Sequence, residues 1–556
     1  MEKNITDVTA ENSVNIEVQG NQPCVRAYSP VAGTYSPAAA YPYKGMQISG
    51  NPQTDYAKMY KIENAFKPDM RDFAFALITF VLGYLFSRWV FFTWLGWGVA
   101  AFTTAYLLTV TVYLIKKGVF VSCGATWFWL AVTWVTGLSY ALWDNAGFAA
   151  TRSLFLFCAA VYYVIIASGR AIMGKTGNYL LIDGINAVIL IPFRNFINQY
   201  VSFSALKKGE KNGKTLHILL GVLLAMILTA ILIPMLVSAD SGGFGMILNF
   251  FADMFRFINI ETIFCIIFAI PIAAYLYGLI SGVAHKKGTD IIELESVKKT
   301  VAALRFLQPT TVNIVLGTVC GIYLVFILSQ IPYFFTAFTG RRPEGWLIYA
   351  EYARRGFFEL CAIAAINLGI LTVGNVTCKK KRIESPVLKT FNITLSVITL
   401  LLIATAFSKM ALYIDAYGLT VPRLLPCVLM VFLALVLGAL IALQKWDFSI
   451  VRFALAAGSV IICALCLSNP DAIVVRYNTD RYLSGTLPDY DTEILYRSGN
   501  AGVLPSLEVY ETTKDEKLKN EIAEYLEFQN DYSHNDYKLS FESYQALTAV
   551  SNNYLD

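Results

Sequence analysis

Runs of about 17 to 25 mostly apolar residues recur along the chain at 73–92, 95–115, 121–143, 153–168, 218–237, 263–283, 312–335, 356–376, 388–407, 424–443 and 451–467. That is the length a helix needs to cross a hydrocarbon layer of about 30 Å. The runs do not alternate apolar and polar as barrel strands would, and backbone groups in lipid must pair internally, so spanning helices follow. The pattern predicts an all-α fold, a polytopic integral membrane bundle of about 11 transmembrane helices. Two segments break the rhythm. One, at 179–203, carries Asp183, Asn186, Arg194 and Asn195; the other, at 244–257, is short and carries Asp253 and Arg256. Both read as amphipathic helices in the membrane interface. If 179–203 crossed instead, everything downstream would be inverted.

The flanks of these runs divide the chain into three parts. Residues 1–72 hold no spanning run and include a Pro-, Ala- and Tyr-rich stretch, YSPVAGTYSPAAAYPY, which reads as a flexible cytoplasmic tail. Residues 73–468 form the transmembrane domain. Residues 469–556 are acidic, with 16 Asp/Glu against 7 Lys/Arg, and read as a small, mostly helical extracytoplasmic tail. Within that tail, Thr513 and Glu516 suggest a capping box, and Leu518, Ile522, Tyr525 and Leu526 share one helical face. From Phe528 onward the sequence reads as poorly packed. The basic clusters Lys116–Lys117, Lys207–Lys208, Lys286–Lys287 and Lys379–Arg382 fall on alternate loops. The positive-inside rule then places the N-terminus in the cytoplasm and, with an odd helix count, the C-terminus outside.

Composition agrees with lipid as solvent: 56% of the 556 residues are hydrophobic and only 15% charged, where soluble domains carry near a quarter. No basic stripe with interleaved aromatics suggests nucleic-acid binding. Of ten cysteines, Cys463 and Cys466 form a C-x-x-C inside an apolar run, where two small buried hydrophobes are the simpler reading. Three histidines, far apart, imply neither a metal centre nor a catalytic base, and no cofactor is implied.

Polar residues at membrane depth mark function or helix packing. Four groups stand out, all at the outer face in this topology. They are Asp144–Asn145; Ser238-Ala-Asp240; the stretch from Glu351 through Tyr352, Arg354 and Arg355 to Glu359; and the link from Tyr413 through Asp415 and Tyr417 to Arg423. Arg355 and Glu359 are one helical turn apart. Arginines kept outside against the charge bias suggest carboxylate partners or an anionic ligand. The candidate ligand-binding set is therefore Asp144, Asp240, Tyr352, Arg354, Arg355, Glu359, Asp415, Tyr417 and Arg423. The competing reading is a set of loop ion pairs that fix helix ends. Asn367, inside a spanning run, reads as interhelical glue.

Ser-Ala-Asp at 238–240, Tyr-Ala-Arg-Arg-Gly-Phe-Phe-Glu-Leu at 352–360, Ala-Tyr-Gly-Leu-Thr-x-x-Arg at 416–423, and Asn-Pro-Asp-Ala at 469–472 with Arg476 and Asn478 resemble a bacterial multi-pass membrane family. It is catalogued as domain of unknown function 4173, with a sister family 4153. The resemblance runs from about Phe73 to Pro505 and implies a bacterial plasma membrane, but no activity. Three functions fit. The first is a sensing, assembly or binding protein with a polar outer site and a membrane protein partner. The second is a transporter or lipid-handling protein that binds an anionic lipid head group or small molecule. The third is a transferase using a lipid-linked donor. The absence of a catalytic constellation leans away from an enzyme.

Overall fold

Asp69 opens the first helix: its carboxylate accepts from the N–H groups of Arg71 and Asp72, while its own N–H donates to the Asp72 side chain. In the computed structural model, the residues described are 66–92, 96–204, scattered positions between 221 and 236, 260–286, 294–338, 346–380, 384–534 and 540–553. They are helical throughout: α1 Met70–Phe86, continued by a π-helical turn Ser87–Phe91; α2 Trp97–Lys116; α3 Gly124–Leu142; α4 Ala149–Ala167; the short α5 Leu180–Ile185, α6 Ile191–Arg194 and α7 Asn198–Ser204; α8 Ile260–Ala284; α9 Leu294–Ala303; α10 Pro309–Phe338; α11 Trp346–Thr377; α12 Pro386–Tyr417; α13 Val421–Leu443; and α14 Ile450–Ser468. Five more follow: α15 Pro470–Leu483, α16 Glu493–Ser498, α17 Val503–Thr512, α18 Glu516–His534 and α19 Phe541–Asn553.

Nine helices among the described residues are long and apolar enough to cross a membrane. They match nine of the predicted runs. A tenth run is α3, whose tryptophans and threonines dilute its apolarity; it packs along α2, α4 and α14. The eleventh, 218–237, and the short amphipathic segment 244–257 fall outside the described residues, apart from a few helical positions in the former. Large apolar side chains point outward along these helices, as Leu108, Val112 and Ile115 do on α2. A lipid-facing surface has that character.

Two cores organise the bundle. Helices α1 to α4 and α8 close around Phe75, Tyr106, Tyr113, Tyr163 and Tyr277. Helices α10 to α13 close around Leu316, Phe357, Leu395 and Leu402. Gly83 lets α1 approach α8 closely: a Cβ there would lie 2.5 Å from the Ala269 carbonyl oxygen. Inside the second core, Tyr323 Oη donates to Asn367 Oδ1 at 2.7 Å, and Asn367 Nδ2 donates to Thr399 Oγ1 at 3.0 Å. One asparagine thus joins three helices.

At one end of the bundle, the near end, Asp72 receives Tyr113 Oη at 2.8 Å, Lys117 Nζ at 2.7 Å and His285 Nε2 at 3.0 Å. This cluster ties the start of α1 to the ends of α2 and α8. The segment α5 to α7 begins and ends here. Asn178 accepts from Ser449 and the Thr176 carbonyl from Arg452, both at the start of α14. At the other end of the segment, Phe203 lies edge-on to Phe73, and Gln199 donates to the Ala76 carbonyl near the start of α1. The segment therefore does not cross the bundle. Its outer stripe, Leu181, Ile185, Ile189 and Phe193, is apolar and exposed, whereas Asp183, Asn186, Asn195 and Gln199 are buried.

The chain beyond α14 is a packed helical layer on the far end. Leu518, Ile522, Tyr525 and Leu526 fill its core, as their shared face predicts. Two details differ from expectation. The cap of α18 is Asp515, whose Oδ1 accepts from the N–H groups of Lys517 and Leu518, while Thr513 only accepts from Asp515 N–H. Nor is the end loosely packed: α19 buries Glu542, Ser543, Ala546 and Val550.

Candidate functional site

Asn469 ends α14 and starts α15. It adopts a left-handed backbone, φ 50°, that asparagine tolerates, and its side chain accepts from Ala472 N–H. Pro470 then occupies the first helical turn, where a missing N–H costs nothing. This short Asn-Pro-Asp corner turns Asp471 back onto the bundle, where its Oδ2 accepts from Gly147 N–H at 3.1 Å.

Above that corner three carboxylates from three elements converge: Asp144 from the loop between α3 and α4, Asp471 from α15 and Glu542 from α19. All are buried. Glu542 Oε2 accepts from Asp144 N–H at 3.0 Å, and its Oε1 accepts from Asn469 Nδ2 at 2.5 Å. Asp144 Oδ2 accepts from Asn500 Nδ2 at 2.6 Å and from Ser543 Oγ at 2.9 Å. These polar contacts join the loop to the helical layer.

Beneath lies Arg152, fully buried on α4. Its Nη atoms donate to the carbonyls of Ser139, Trp143 and Asp144 at 3.4, 3.0 and 2.6 Å, closing the C-terminal end of α3. Its guanidinium stacks 3.7 Å from the Tyr140 ring centre. Its Nε, like Asn145 Oδ1, has no hydrogen-bond partner. The charge balance at the cluster is thus three acids against one base. Burial outweighs the bonds that favour the charged forms. It pushes Glu542 up from 4.5 to about 7 and Asp471 from 3.8 to about 6, with neighbouring Asp144 adding to both. Such a group holds and releases protons near neutrality. No set of three or more His, Cys, Asp or Glu side chains among the described residues is placed to hold a metal ion.

The residues singled out from sequence do not form one site. Asp144 is in the cluster. Arg355 pairs with Glu359 at 3.2 Å on the exposed surface of α11, and Arg354 is exposed beside them. Asp415 pairs with Arg481 of α15 at 3.2 Å. Arg423 donates to the carbonyls of Tyr417 and Gly418 at 2.8 and 2.5 Å and lies over the Tyr413 ring, so it caps the end of α12. Tyr417 is exposed next to Tyr413. Asp240 and the Tyr352 side chain lie outside the described residues.

Arg152, Asn469, Asp471, Asn500 and Glu542 were not among the candidates. Asn469 and Asp471 lay in the quoted Asn-Pro-Asp-Ala motif, and Arg152 is a charge beside an apolar run, which is a usable signal. Glu542 gave none, since nothing in its neighbourhood marks a buried acid. Two of the quoted motifs do meet: Asn478 brackets Leu419, its Oδ1 accepting from the N–H at 2.7 Å and its Nδ2 donating to the carbonyl at 2.8 Å.

A family model described as Domain of unknown function (DUF4153) matches residues 130–508. This is the family named above as the sister of 4173. The match takes in Asp144, Arg152, Asn469, Asp471 and Asn500 but stops short of Glu542. No curated protein matches, and no solved structure matches.

Proposed function

The chain belongs to this family of unassigned activity, and from that premise we propose a membrane sensing protein whose C-terminal helical layer docks on the bundle through a proton-dependent latch. One observation carries the reading: Asp144, Asp471 and Glu542 converge from separate elements beside a buried arginine whose guanidinium bonds main-chain carbonyls and stacks on Tyr140. A purely structural dock would pair its charges. This one leaves an excess of acid buried where α19 meets the loop.

The sign follows from linkage. Glu542 has its higher proton affinity in the docked state. Below pH 4.5 it is protonated docked or free, and docking carries no penalty. As pH rises from 4.5 to about 7 the free form ionises first, and docking weakens. Above that the penalty is complete, up to about 3 kcal/mol. Asp471 adds a second window between 3.8 and about 6. The groups facing Glu542 are Asp144, Asp471 and Tyr525, with Asn469 as its neutral partner, while Arg152 faces Asp144 and Asp471.

In the topology read from charge, the latch lies on the outer side of a bacterial plasma membrane, where pH varies. The arginines that suggested an anion site are engaged elsewhere, Arg423 on carbonyls and Arg355 on Glu359. Asp144 is covered by Asn500 and Ser543, which leaves it no open face for a lipid-linked donor. Hydrogen exchange at 540–553, corrected for intrinsic rates, tests the proposal. Protection should be high at pH 5 and drop at pH 8; equal protection at both would end it.

A further inference from the structure

Below Tyr140, a cavity of about 820 Å³ opens between α1, α2, α4, α6 and α8. Its wall is almost entirely apolar, with Phe102, Tyr106, Leu154, Phe157, Phe193 and Tyr275 prominent. The tyrosines turn their hydroxyls away: Tyr106 Oη donates to the Ala160 carbonyl and Tyr275 Oη to that of Val188. Tyr140 Oη pairs with Ser153 Oγ at 2.7 Å. The volume falls within the roughly 300–1,000 Å³ of ligand sites.

We propose that this cavity binds an acyl chain of a bilayer phospholipid. Of its bounding helices, α1, α2, α4 and α8 are long and apolar enough to span, so the cavity sits at membrane depth. Hydrocarbon is the solvent there. Several wall residues are also rim residues facing outward, Leu154 at 65% and Phe193 at 62% exposure. Phe193 is in line with the exposed stripe Leu181, Ile185 and Ile189, so the lipid-facing surface runs into the cavity without a polar break. A dry cavity would leave its lining without dispersion contacts. The hydroxyls, all satisfied within the protein, leave no demand for a polar ligand inside. Tyr140 bounds the cavity and carries Arg152 on its ring, so one side chain borders both the chain site and the carboxylate cluster.

A photoreactive side chain decides between occupants. Phe157→p-benzoylphenylalanine places the probe in the cavity wall, and Leu108→p-benzoylphenylalanine places it on the open face of α2, which is 62% exposed. The full chain is extracted in detergent, washed free of loosely held lipid and irradiated. Expected is a phospholipid adduct at Phe157 at least about 5-fold above Leu108, since annular lipid exchanges out and a cavity chain is retained. Ala160→Trp, which fills the cavity, should bring Phe157 down to the Leu108 level. Equal yields at the two positions would overturn the proposal. So would an adduct to a peptide of this chain or of a second copy, or one with the mass of an isoprenoid lipid. The comparison of the two probe positions stands even if Ala160→Trp fails to fold.

Discussion

At the scale of single residues the cluster turns on Glu542 and Arg152. Glu542→Gln keeps the shape and cannot ionise, and its one amide oxygen can accept from either Asp144 N–H or Asn469 Nδ2 but not from both. It is expected to stay docked at pH 8, where the parent loosens, and so to flatten the pH dependence of α19 exchange. A Gln variant that loosens like the parent would assign the titration to Asp471. Arg152→Leu acts the other way. Arg152 lowers the proton affinity of Asp471 through space, against the larger effect of burial. Without it Asp144 and Asp471 lose their cation and the carbonyls of Ser139, Trp143 and Asp144 lose their donor. Removing one partner from a buried charged network costs about 3–5 kcal/mol. The variant should melt earlier, and protection at 540–553 should be lost at a lower pH than in the parent.

At the scale of elements, Asn478 and Gly418 show how the quoted motifs work. Gly418 follows α12 with φ 75°, and a Cβ there would lie 2.6 Å from Asn478 Oδ1. The glycine lets the chain turn, and Asn478 then satisfies both main-chain groups of Leu419. Asn478→Ala leaves those buried groups unpaired, which costs about 1–3 kcal/mol. It should lower the melting temperature while leaving the pH dependence of α19 in place. The spans were legible because apolar runs of that length admit only helices in lipid. The face of α18 was legible because Leu518, Ile522, Tyr525 and Leu526 repeat at helical spacing. The carboxylate cluster was not. Asp144 stood out beside a spanning run, but Glu542 lies 398 residues away in a polar stretch, and nothing local reveals which long-range partner will bury it. The arginines divide: Arg355 pairs with Glu359 one turn away, as their spacing allows, while Arg423 binds main-chain carbonyls. Each was informative in charge, but Arg423 spends its guanidinium on the carbonyls that end its neighbouring helix, a demand that sequence spacing does not display.

At the scale of the whole molecule, the path of the chain makes the orientation testable. Helix α4 ends at the near end, since Val121 N–H donates to the Ala167 carbonyl at the start of α3. Helix α8 also ends there, where Arg170 Nε donates to the Val283 carbonyl. So α8 begins at the far end, whereas α4 ends at the near end. Helices α5 to α7 start and finish at the near end. The near end also carries Arg71, Lys116, Lys117, Lys286, Lys379 and Lys380, which the positive-inside rule assigns to the cytoplasm. A reporter that fluoresces only in the cytoplasm should therefore be bright when fused after Lys208 or Lys286 and dark after Asp556. A dark fusion at Lys208 with a bright one at Lys286 would mean that 179–203 crosses after all. A bright fusion at Asp556 with dark fusions at both lysines would invert the whole bundle, bringing the carboxylate latch to the cytoplasmic side, where it would meet a pH held nearly constant and lose its reason to titrate near neutrality.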